Sequence, residues 1–393
     1  MKLVQINTLF GSGSTGKICL AVSNLLDEEG IENYTLYASG HSDSPKGKRY
    51  MTGKEVKLQA LKSRIFGNYG MNSTAATKRI LAELDRICPD IIHLHNLHGH
   101  NCDLRLLFSY IRQKGIRVFW TFHDCWAFTG YCPHYDMVGC DKWKTGCKSC
   151  IQRKRYSWFF DRSAELYEKK KTLLQDLDIT VITPSHWMAD QVKESFLKDY
   201  PVKVIHNGID LSVFRPRESD FRKTYGIGDK FLLLGVSFEW GQRKGLDVFL
   251  RLAETLDERF QIVLVGTNEN IDKTLPKNII SIHRTNDQQA LAEIYTAADL
   301  LLNPTREENF PTVHLESLAC GTPILSFNTG GCKETFDESC GTHVPKDDFG
   351  AFLSAILRIE ATKPYSSEAC TTYATRFDQG NSFRSYVSLY SPK

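Results

Sequence analysis

Two glutamates separated by seven residues, Glu308 and Glu316, lie in the part of the sequence with the clearest chemistry. Apolar runs at 300–303 and 324–327 flank them, which predicts a short helix between two buried strands. We expect Glu308 in the loop at the carboxyl end of the first strand and Glu316 about 10 Å further along the helix. Two carboxylates so placed suit the ends of an elongated anionic ligand such as a nucleotide-sugar. Alone, they also fit a solvated helix with ordinary acids.

The helix between those strands has predicted boundaries. Asn309 is expected to cap its N-terminus and Pro311 to lie in its first turn, while Gly321 and Pro323 end it. A helix that begins at the carboxyl end of a parallel strand directs N–H groups and a positive dipole end toward the ligand. An anionic group such as a diphosphate is therefore expected there.

A basic loop, Gln242-Arg243-Lys244-Gly245, follows another apolar run at 231–236. Cations at the carboxyl end of a strand would stabilise the charge that develops on a departing diphosphate. Without its context the same loop fits a solvated turn. Gly330-Gly331 follows the strand at 324–327, where glycines permit either close approach to phosphate or a plain turn.

The stretch around the two glutamates resembles the signature of retaining GT-B glycosyltransferases of family 4. In that family a Glu-x7-Glu pair precedes an Ala-Cys-Gly-x-Pro segment, which stands here at 319–323. Asn207-Gly208-Ile209-Asp210 matches a turn common in the family. The resemblance covers nearly the whole chain and is closest to bacterial surface-polysaccharide transferases of colanic-acid type. It implies that Glu308 contacts the donor sugar, Glu316 the ribose hydroxyls and Lys244 the diphosphate.

The sequence departs from the family pattern at two places. The family's Gly-Phe-Gly is replaced by Asn309-Phe310-Pro311, and Pro311 offers no N–H. Phosphate must then be held by the amides of neighbouring residues such as Thr312 and Val313, with Phe310 in the same donor-binding segment. The family's Gly-Arg after the strand is replaced by Val-Ser at 236–237, so Arg243 is the substitute cation.

A glycine-rich loop at 11–17 follows the first predicted strand and nearly matches a phosphate-binding P-loop. Ile18 occupies the position where that motif needs Ser or Thr to reach Mg²⁺. Three interpretations stay open: an NTP-binding module, a tight turn without ligand, and the family's own N-terminal loop. In the last of these Gly13 belongs to the donor-binding residues.

Histidines concentrate at the ends of two further predicted strands. His123 follows the strand at 118–122 and, by the resemblance, is a catalytic residue that contacts the donor sugar or its surroundings. Four more lie at the end of the strand at 91–94. They fit the lining of an acceptor cleft, and a metal site is the alternative, although no Cys or carboxylate completes an evident ligand set. These are His93, His95, His98 and His100.

A cysteine-rich insert at about 125–160 holds four candidate metal ligands. Four thiolates are a preferred ligand set of structural Zn²⁺, while free thiols or a disulfide are the alternatives. The ligands would be Cys132, Cys140, Cys147 and Cys150, the last two as a C-x-x-C pair. Downstream, residues 153–160 mix cations and aromatics, which fits contact with an anionic membrane face or a solvated helix.

Alternating strand and helix patterns predict an α/β protein with parallel sheets covered by helices. The expected architecture is GT-B, with two Rossmann-like domains facing across a cleft. Residues 1–206 form the acceptor-side domain with the insert, residues 207–375 the nucleotide-sugar domain, and residues 376–393 a helix that returns to the first. The predicted strands are 3–7, 34–38, 91–94, 118–122, 179–183, 202–205, 231–236, 261–265, 279–282, 300–303 and 324–327.

The composition suits a folded protein with a substantial core, since 41% of the 393 residues are hydrophobic and 24% are charged. The net charge of +3 does not indicate a nucleic-acid partner. No apolar run reaches the roughly 18 residues of a membrane span, and the N-terminus lacks a secretory leader. A cytoplasmic location is therefore expected, with the inner face of the cell membrane as the place of membrane contact.

The expected function is that of a retaining, metal-independent, hexosyltransferase-type enzyme. It would move a sugar from a UDP- or GDP-sugar to a polysaccharide or lipid-linked saccharide acceptor. No cofactor is expected for catalysis, because protein cations replace a metal, and Zn²⁺ is expected only as a structural ion. A P-loop NTP-binding module and an inactive GT-B assembly partner are the alternatives.

Overall fold

The computed structural model describes residues 1–283, 285 and 287–390. The chain divides into two units, one of Met1–His206 with the chain from Ser382 onward, the other of Asn207–Asn381. Each unit has its own parallel sheet and its own apolar core. Within the described residues, no helix combines the length and apolarity that crossing a membrane requires.

The first unit is built on strands joined mostly by helices. Its strands are β1 (Lys2–Asn7), β2 (Glu32–Tyr37), β3 (Gly47–Arg49), β4 (Ile91–Leu94), β5 (Arg117–Thr121), β6 (Ile179–Thr183) and β7 (Val202–Val204). Its helices are α1 (Gly13–Glu28), α2 (Gly53–Phe66), α3 (Thr74–Ile87), α4 (Leu104–Lys114), α5 (Arg153–Tyr156), α6 (Ser163–Leu174) and α7 (His186–Glu194). The sheet is parallel, in the order β3-β2-β1-β4-β5-β6-β7.

The second unit repeats this plan. Its strands are β8 (Phe231–Val236), β9 (Phe260–Val265), β10 (Ile279–Ile282), β11 (Leu300–Asn303), β12 (Ile324–Phe327) and β13 (Gly341–Val344). Its helices are α8 (Phe221–Thr224), α9 (Leu246–Thr255), α10 (Glu269–Asp272), α11 (Gln288–Ala297), α12 (Thr312–Ala319), α13 (Phe349–Thr362) and α14 (Ser367–Ala374). The sheet is parallel, in the order β10-β9-β8-β11-β12-β13.

A last helix, α15 (Gln379–Tyr390), contributes three aromatic side chains to the core of the first unit. Phe383, Tyr386 and Tyr390 are buried there beside Leu3 and Ile182. The Tyr390 hydroxyl also lies 2.6 Å from His93 Nδ1. The first unit's core is therefore completed by the last segment of the chain.

The predicted α/β class and parallel sheets are confirmed, because buried parallel strands read as continuous apolar runs. Two strands, β3 and β13, were missed. β3 has the sequence Gly-Lys-Arg and is largely exposed at the sheet edge, so it carries no apolar signal. β13 begins with Gly341 and has only four residues, with polar side chains at its centre.

Candidate active site

The loops that follow β8 and β11 contain the two oppositely charged residues of the candidate site, Lys244 and Glu308. From β8 the strand order runs outward to β10, and from β11 it runs the other way to β13. Connections that leave neighbouring strands in opposite directions open a crevice at the carboxyl ends, where such sheets bind ligands. Lys244 follows β8 and Glu308 follows β11, so the topology brings together two residues that lie 64 positions apart.

Lys244 Nζ and Glu308 Oε2 form an ion pair. Their side chains are 17% and 18% exposed, so solvent screens the pair less than it screens a surface pair. The 3-10 helix Gln242–Lys244 ends at Gly245, whose φ of 72° lies in the left-handed region. A Cβ at Gly245 would overlap the carbonyl oxygen of Pro304. The loop can approach β11 this closely only because the residue is glycine.

A second glycine sets the backbone position of Glu308. Gly330 has a φ of 53°, and a Cβ there would overlap the Glu308 carbonyl oxygen. The amide of Gly331 donates to the same oxygen at 3.4 Å. The sequence indicated a phosphate-approach or turn element at these glycines, and the structure shows that they pack on the loop that carries the carboxylate. Gly330 is therefore a positioning residue for Glu308.

The helix after Glu308 begins at Thr312, with Pro311 in the N-cap position. The predicted capping role of Asn309 is therefore wrong. A residue before proline is disfavoured in the α region, so Phe310 cannot extend the helix toward Asn309. Pro311 has no polar side chain to cap the helix, whose first amides belong to Thr312 and Val313.

Phe310 contributes to the core rather than to a ligand surface. Its side chain is buried, and its ring centroid lies 5.6 Å from that of Phe377 in an edge-on arrangement. Its carbonyl oxygen accepts a hydrogen bond of 3.0 Å from Asn207 Nδ2. Any contact of this residue with a donor would therefore involve its backbone.

Glu316 is the fifth residue of α12, little more than one turn from the helix start. Its Oε2 accepts a hydrogen bond of 2.8 Å from the hydroxyl of the buried Tyr295. Burial and the neighbouring carboxylate raise the pKa of Tyr295 well above its usual range, so the hydroxyl remains a donor. Sequence reasoning missed Tyr295, because it stands within α11 with no motif around it.

A further cation, Arg306, ties together the loops around the ion pair. Its guanidinium pairs with Asp247 at 2.7 Å and with Asp347 at 2.6 Å. Its backbone amide donates to the carbonyl oxygen of Arg243 at 2.9 Å. The hydrogen bonds from Arg306 lower the pKa of Asp247. Arg243 is 15% exposed, and its Nη2 lies 3.6 Å from Oε2 of Glu239, so its guanidinium is already paired with a carboxylate.

Residues 16–213 match the family model described as Glycosyltransferase Family 4, and residues 229–361 match that of Glycosyl transferases group 1. The chain is a member of glycosyltransferase family 4. One relative of this family 4 glycosyltransferase is WcaC of Escherichia coli (strain K12), named as a colanic acid biosynthesis glycosyl transferase. It is 22% identical, over 94% of this chain and 92% of its own length.

Solved structures show that the family 4 chain has the GT-B fold. Sucrose-phosphate synthase of Thermosynechococcus elongatus is 17% identical and superposes with a TM-score of 0.73, over 99% of this chain and 98% of its own. HepE of Anabaena, solved with UDP-glucose, is 13% identical with a TM-score of 0.70, over 99% of both chains. The predicted fold family is confirmed, and so is the resemblance on which it rested.

In the first unit of this family 4 glycosyltransferase, His123 lies just beyond β5 and contacts a second histidine. Its Nε2 is 3.1 Å from Nδ1 of His95, and the two rings stack with centroids 5.4 Å apart. His95 Nε2 in turn lies 3.2 Å from Oε1 of the buried Gln5. Burial lowers the pKa of His123 to about 4, against the opposing effect of Asp124. At neutral pH the imidazole is uncharged and acts through hydrogen bonding.

The four histidines near the end of β4 point to separate partners. His93 Nε2 lies 2.8 Å from the hydroxyl of Thr121, and His98 Nε2 pairs with Asp124 at 2.7 Å. Among the residues that the structure describes, no three ligand atoms that include these histidines lie within 4.8 Å. The metal interpretation of this group has no geometric support.

The glycine loop after β1 does not wrap around a phosphate-sized space as a P-loop does. α1 already begins at Gly13, so most of the motif is helical, and Lys17 is exposed within the helix. Gly11 donates from its amide to the carbonyl oxygen of Gly16 at 2.9 Å, which closes the loop on itself. Gly13 has a φ of 65°, which explains glycine at this helix start without invoking a ligand.

The four cysteines of the insert lie together in the first unit. Cys132 is buried and the other three are partly buried. Burial raises the pKa of Cys132, and the charges of Cys150, Cys147 and Cys140 raise it further. No three of the sulfurs lie within 4.8 Å of one another. The sulfur atoms are therefore further apart than the ligands of a bound metal ion would be.

Proposed function

We propose that this family 4 enzyme transfers a sugar from a UDP- or GDP-sugar to a polysaccharide or lipid-linked saccharide, with retention of configuration and without a catalytic metal. The observation that carries the proposal is the partly buried Lys244–Glu308 ion pair at the carboxyl ends of β8 and β11, just before the start of α12. The arrangement offers a cation and backbone amides for phosphate and a carboxylate for sugar hydroxyls.

Each of these groups has a role in the proposed transfer. As the diphosphate leaves, Lys244 and the amides of Thr312 and Val313 stabilise its developing charge, with Arg243 as a further cation. Glu308 holds Lys244 before the donor arrives, so little reorganisation is needed at the moment of reaction. Protein groups thereby replace a catalytic metal.

The remaining roles rest on the family resemblance. Glu308 accepts hydrogen bonds from the donor sugar, and Glu316 accepts them from the ribose hydroxyls. His123 and Gly13, in the first unit, keep the donor-side roles that the resemblance implies. The solved HepE complexes with UDP and UDP-glucose favour a UDP-sugar, and the name of WcaC favours a surface polysaccharide as product.

A panel of UDP-, GDP- and ADP-sugars in a thermal-shift assay, followed by product analysis with the preferred donor, tests the proposal. One nucleotide class is expected to raise Tm, and the transferred sugar is expected to keep the donor's anomeric configuration. Stabilisation by none of them would contradict the proposal. Mg²⁺-dependent NTP binding that is lost in Lys17→Ala would favour the P-loop alternative, and donor binding without turnover would favour the inactive partner.

Glu316→Ala is expected to weaken binding of the nucleoside diphosphate. A hydrogen bond to a charged acceptor is worth roughly 1.5–3 kcal/mol, which corresponds to about a tenfold to hundredfold rise in Kd. Calorimetric titration of the variant measures the change. Tyr295→Phe, which removes only the hydroxyl that contacts Glu316, separates loss of the carboxylate from loss of its orientation. An unchanged Kd in Glu316→Ala would rule out the ribose assignment.

We also propose that the enzyme contacts a membrane surface, and an exposed aromatic patch in the first unit supports this. Trp158, Phe159 and Phe160 are 47%, 65% and 49% exposed, and Ile151 is 60% exposed. The backbone amide of Trp158 donates to the carbonyl oxygen of Arg64 at 2.7 Å, and Phe66, two residues further along α2, is 49% exposed. The ring centroids of Trp158 and Phe159, and those of Phe159 and Phe160, lie 6.4 Å apart, so these three aromatics form one patch. Such patches commonly mark a docking surface.

Cations border this patch on α5, whose residues include Arg153, Lys154 and Arg155. Arg64 Nη1 donates to the Arg155 carbonyl oxygen at 3.3 Å and so connects the two segments. Aromatic side chains at the lipid headgroups with cations beside them match an anionic bilayer surface. Binding there would bring the enzyme to lipid-linked acceptors.

Replacing Trp158, Phe159 and Phe160 by serine is expected to abolish co-sedimentation with vesicles that contain phosphatidylglycerol. Wild-type binding is expected to weaken with salt, because each cation near the surface contributes about 1 kcal/mol that salt screens. Phe238→Ser, which removes an aromatic that is 87% exposed in the second unit, is the matched control and should bind normally. Equal binding of the triple variant and the wild type would contradict the membrane role.

A further inference from the structure

A buried glutamine on β1, Gln5, has a side-chain amide whose orientation is fixed by the backbone of α1. Gln5 is 0% exposed, and its Nε2 donates to the carbonyl oxygen of Cys19 at 3.0 Å. A carbonyl oxygen can only accept, so the amide nitrogen must face it. Thr35 Oγ1 is a weaker partner of the same nitrogen, at 3.5 Å. The other amide atom, Oε1, lies 3.2 Å from Nε2 of His95.

This amide oxygen determines which nitrogen of His95 is protonated. Oε1 of Gln5 has no proton to donate, so Nε2 of His95 must be the donor in their contact. His95 is 1% exposed, and burial lowers its pKa well below the usual range. A neutral imidazole has one N–H, so Nδ1 of His95 is an acceptor. The backbone of His95 is fixed as well, because its carbonyl oxygen accepts from Trp120 Nε1 at 2.9 Å.

The same argument applies to His123. Its Nε2 lies 3.1 Å from the acceptor Nδ1 of His95, with the ring planes 14° apart, so Nε2 of His123 must be protonated. Burial lowers the pKa of His123 to about 4, so at neutral pH its Nδ1 has a lone pair and no proton. The opposite tautomers would place two acceptors in contact, either between Gln5 and His95 or, with the amide turned over, between Gln5 and the Cys19 carbonyl oxygen.

We infer that Gln5 and His95 are positioning residues that hold His123 as its Nε2–H tautomer, so that Nδ1 of His123 accepts a hydrogen bond from a sugar hydroxyl. The chain of hydrogen bonds needs no ligand, since it starts at a backbone carbonyl group. The sugar contact rests on the proposed function, in which His123 acts on the donor side. A group that only accepts, such as the carboxylate of a uronic acid, would be repelled by this nitrogen. The inferred donor therefore has a hydroxyl where its sugar meets His123.

Long-range ¹H–¹⁵N NMR of the ¹⁵N-labelled full-length protein measures the tautomers without substrate. In the wild type at neutral pH, His95 and His123 are both expected to be protonated on Nε2 and unprotonated on Nδ1. Gln5→Met, which removes the amide, is expected to lower the ratio of the two His123 tautomers by about 2- to 10-fold, the effect of one hydrogen bond. Thr35→Val removes only the weaker partner of Gln5 and should keep the wild-type ratio.

The wild-type spectrum alone can overturn the inference, even if Gln5→Met does not fold. A wild-type His123 that is protonated on Nδ1 would do so. An unchanged tautomer ratio in a folded Gln5→Met would overturn the role of Gln5.

The sugar contact has its own test with the preferred UDP- or GDP-sugar. Calorimetry compares deoxy analogues of that donor in the wild type and in His123→Ala. One analogue is expected to bind the wild type about 5- to 150-fold more weakly than the donor, because the buried acceptor loses its partner, and to show no such loss in His123→Ala. The matching deoxyfluoro analogue should bind as weakly, because fluorine cannot donate a hydrogen bond. Full affinity of the fluoro analogue, or an equal loss in His123→Ala, would overturn the contact.

The two tests separate failure of this inference from failure of the proposed function. If no nucleotide-sugar binds, the proposed function and the sugar contact fail together, whereas the NMR spectrum still decides the roles of Gln5 and His95. If a donor binds and His123 is protonated on Nδ1, only the inference fails.

Discussion

Lys244→Ala is expected to lower kcat by about 10²- to 10³-fold, the usual effect of removing one preorganised group that stabilises developing charge. The loss of stability should be the smaller effect, although removing one partner of a partly shielded ion pair costs more than the roughly 0–1 kcal/mol of an exposed pair. Steady-state kinetics with the preferred donor and a melting curve measure the two effects. A fall in kcat with a small change in KM would locate the effect in the transition state.

The matched control is Lys230→Ala. Lys230 is an exposed lysine immediately before β8, at the opposite end of the strand whose carboxyl end leads to Lys244. Its removal should leave turnover unchanged.

Chelation with EDTA should also leave the wild-type rate unchanged, because protein cations take the place of a metal. Full activity in Lys244→Ala, or activity that EDTA abolishes and Mg²⁺ restores, would contradict the mechanism.

Gly330→Ala is expected to cause the second large effect, although residue 330 has no functional group. An alanine there would have to hold a φ of 53° and would place its Cβ into the Glu308 carbonyl oxygen. The loop that carries Glu308 must then move. A misplacement of about 1 Å can cost about 10²-fold in rate. The left-handed conformation adds a destabilisation of roughly 1–2 kcal/mol.

Gly350→Ala is the matched control in the same unit. Gly350 lies in the first turn of α13, and the nearest atom to its Cβ position is Asp348 Oδ1 at an ordinary 3.5 Å. This substitution should preserve activity and raise stability slightly, because alanine favours helix. Kinetics and thermal melts of both variants make the comparison. Wild-type activity in Gly330→Ala would show that the Glu308 loop does not need its present position.

The candidate site could be predicted from the sequence only in part, as α12 shows. The sequence showed the spacing of Glu308 and Glu316 and the turn-forming Gly321. The predicted helix is present, and it lies between Glu308 and Gly321. Its start was wrong by two residues, since the sequence favoured Asn309 as the N-cap and the observed N-cap is Pro311. The preference of Asn for N-caps is a local tendency, and the conformational restriction before proline overrode it.

The sequence by itself determined the parallel α/β plan and the chemical types available at the strand ends. Apolar runs such as Leu300–Asn303 and the polar loops after them are local properties that depend on few residues. For the same reason the sequence indicated the Glu308–Glu316 pair and Lys244 as separate candidates.

Only the tertiary structure decided which of these residues meet. The sheet order places β8 next to β11, and this brings Lys244 to Glu308 across 64 positions of chain. The same packing sets Gly330 against the Glu308 loop and Tyr295 against Glu316. The physical reason is that strand pairing and helix packing join distant segments whose local patterns contain no information about each other.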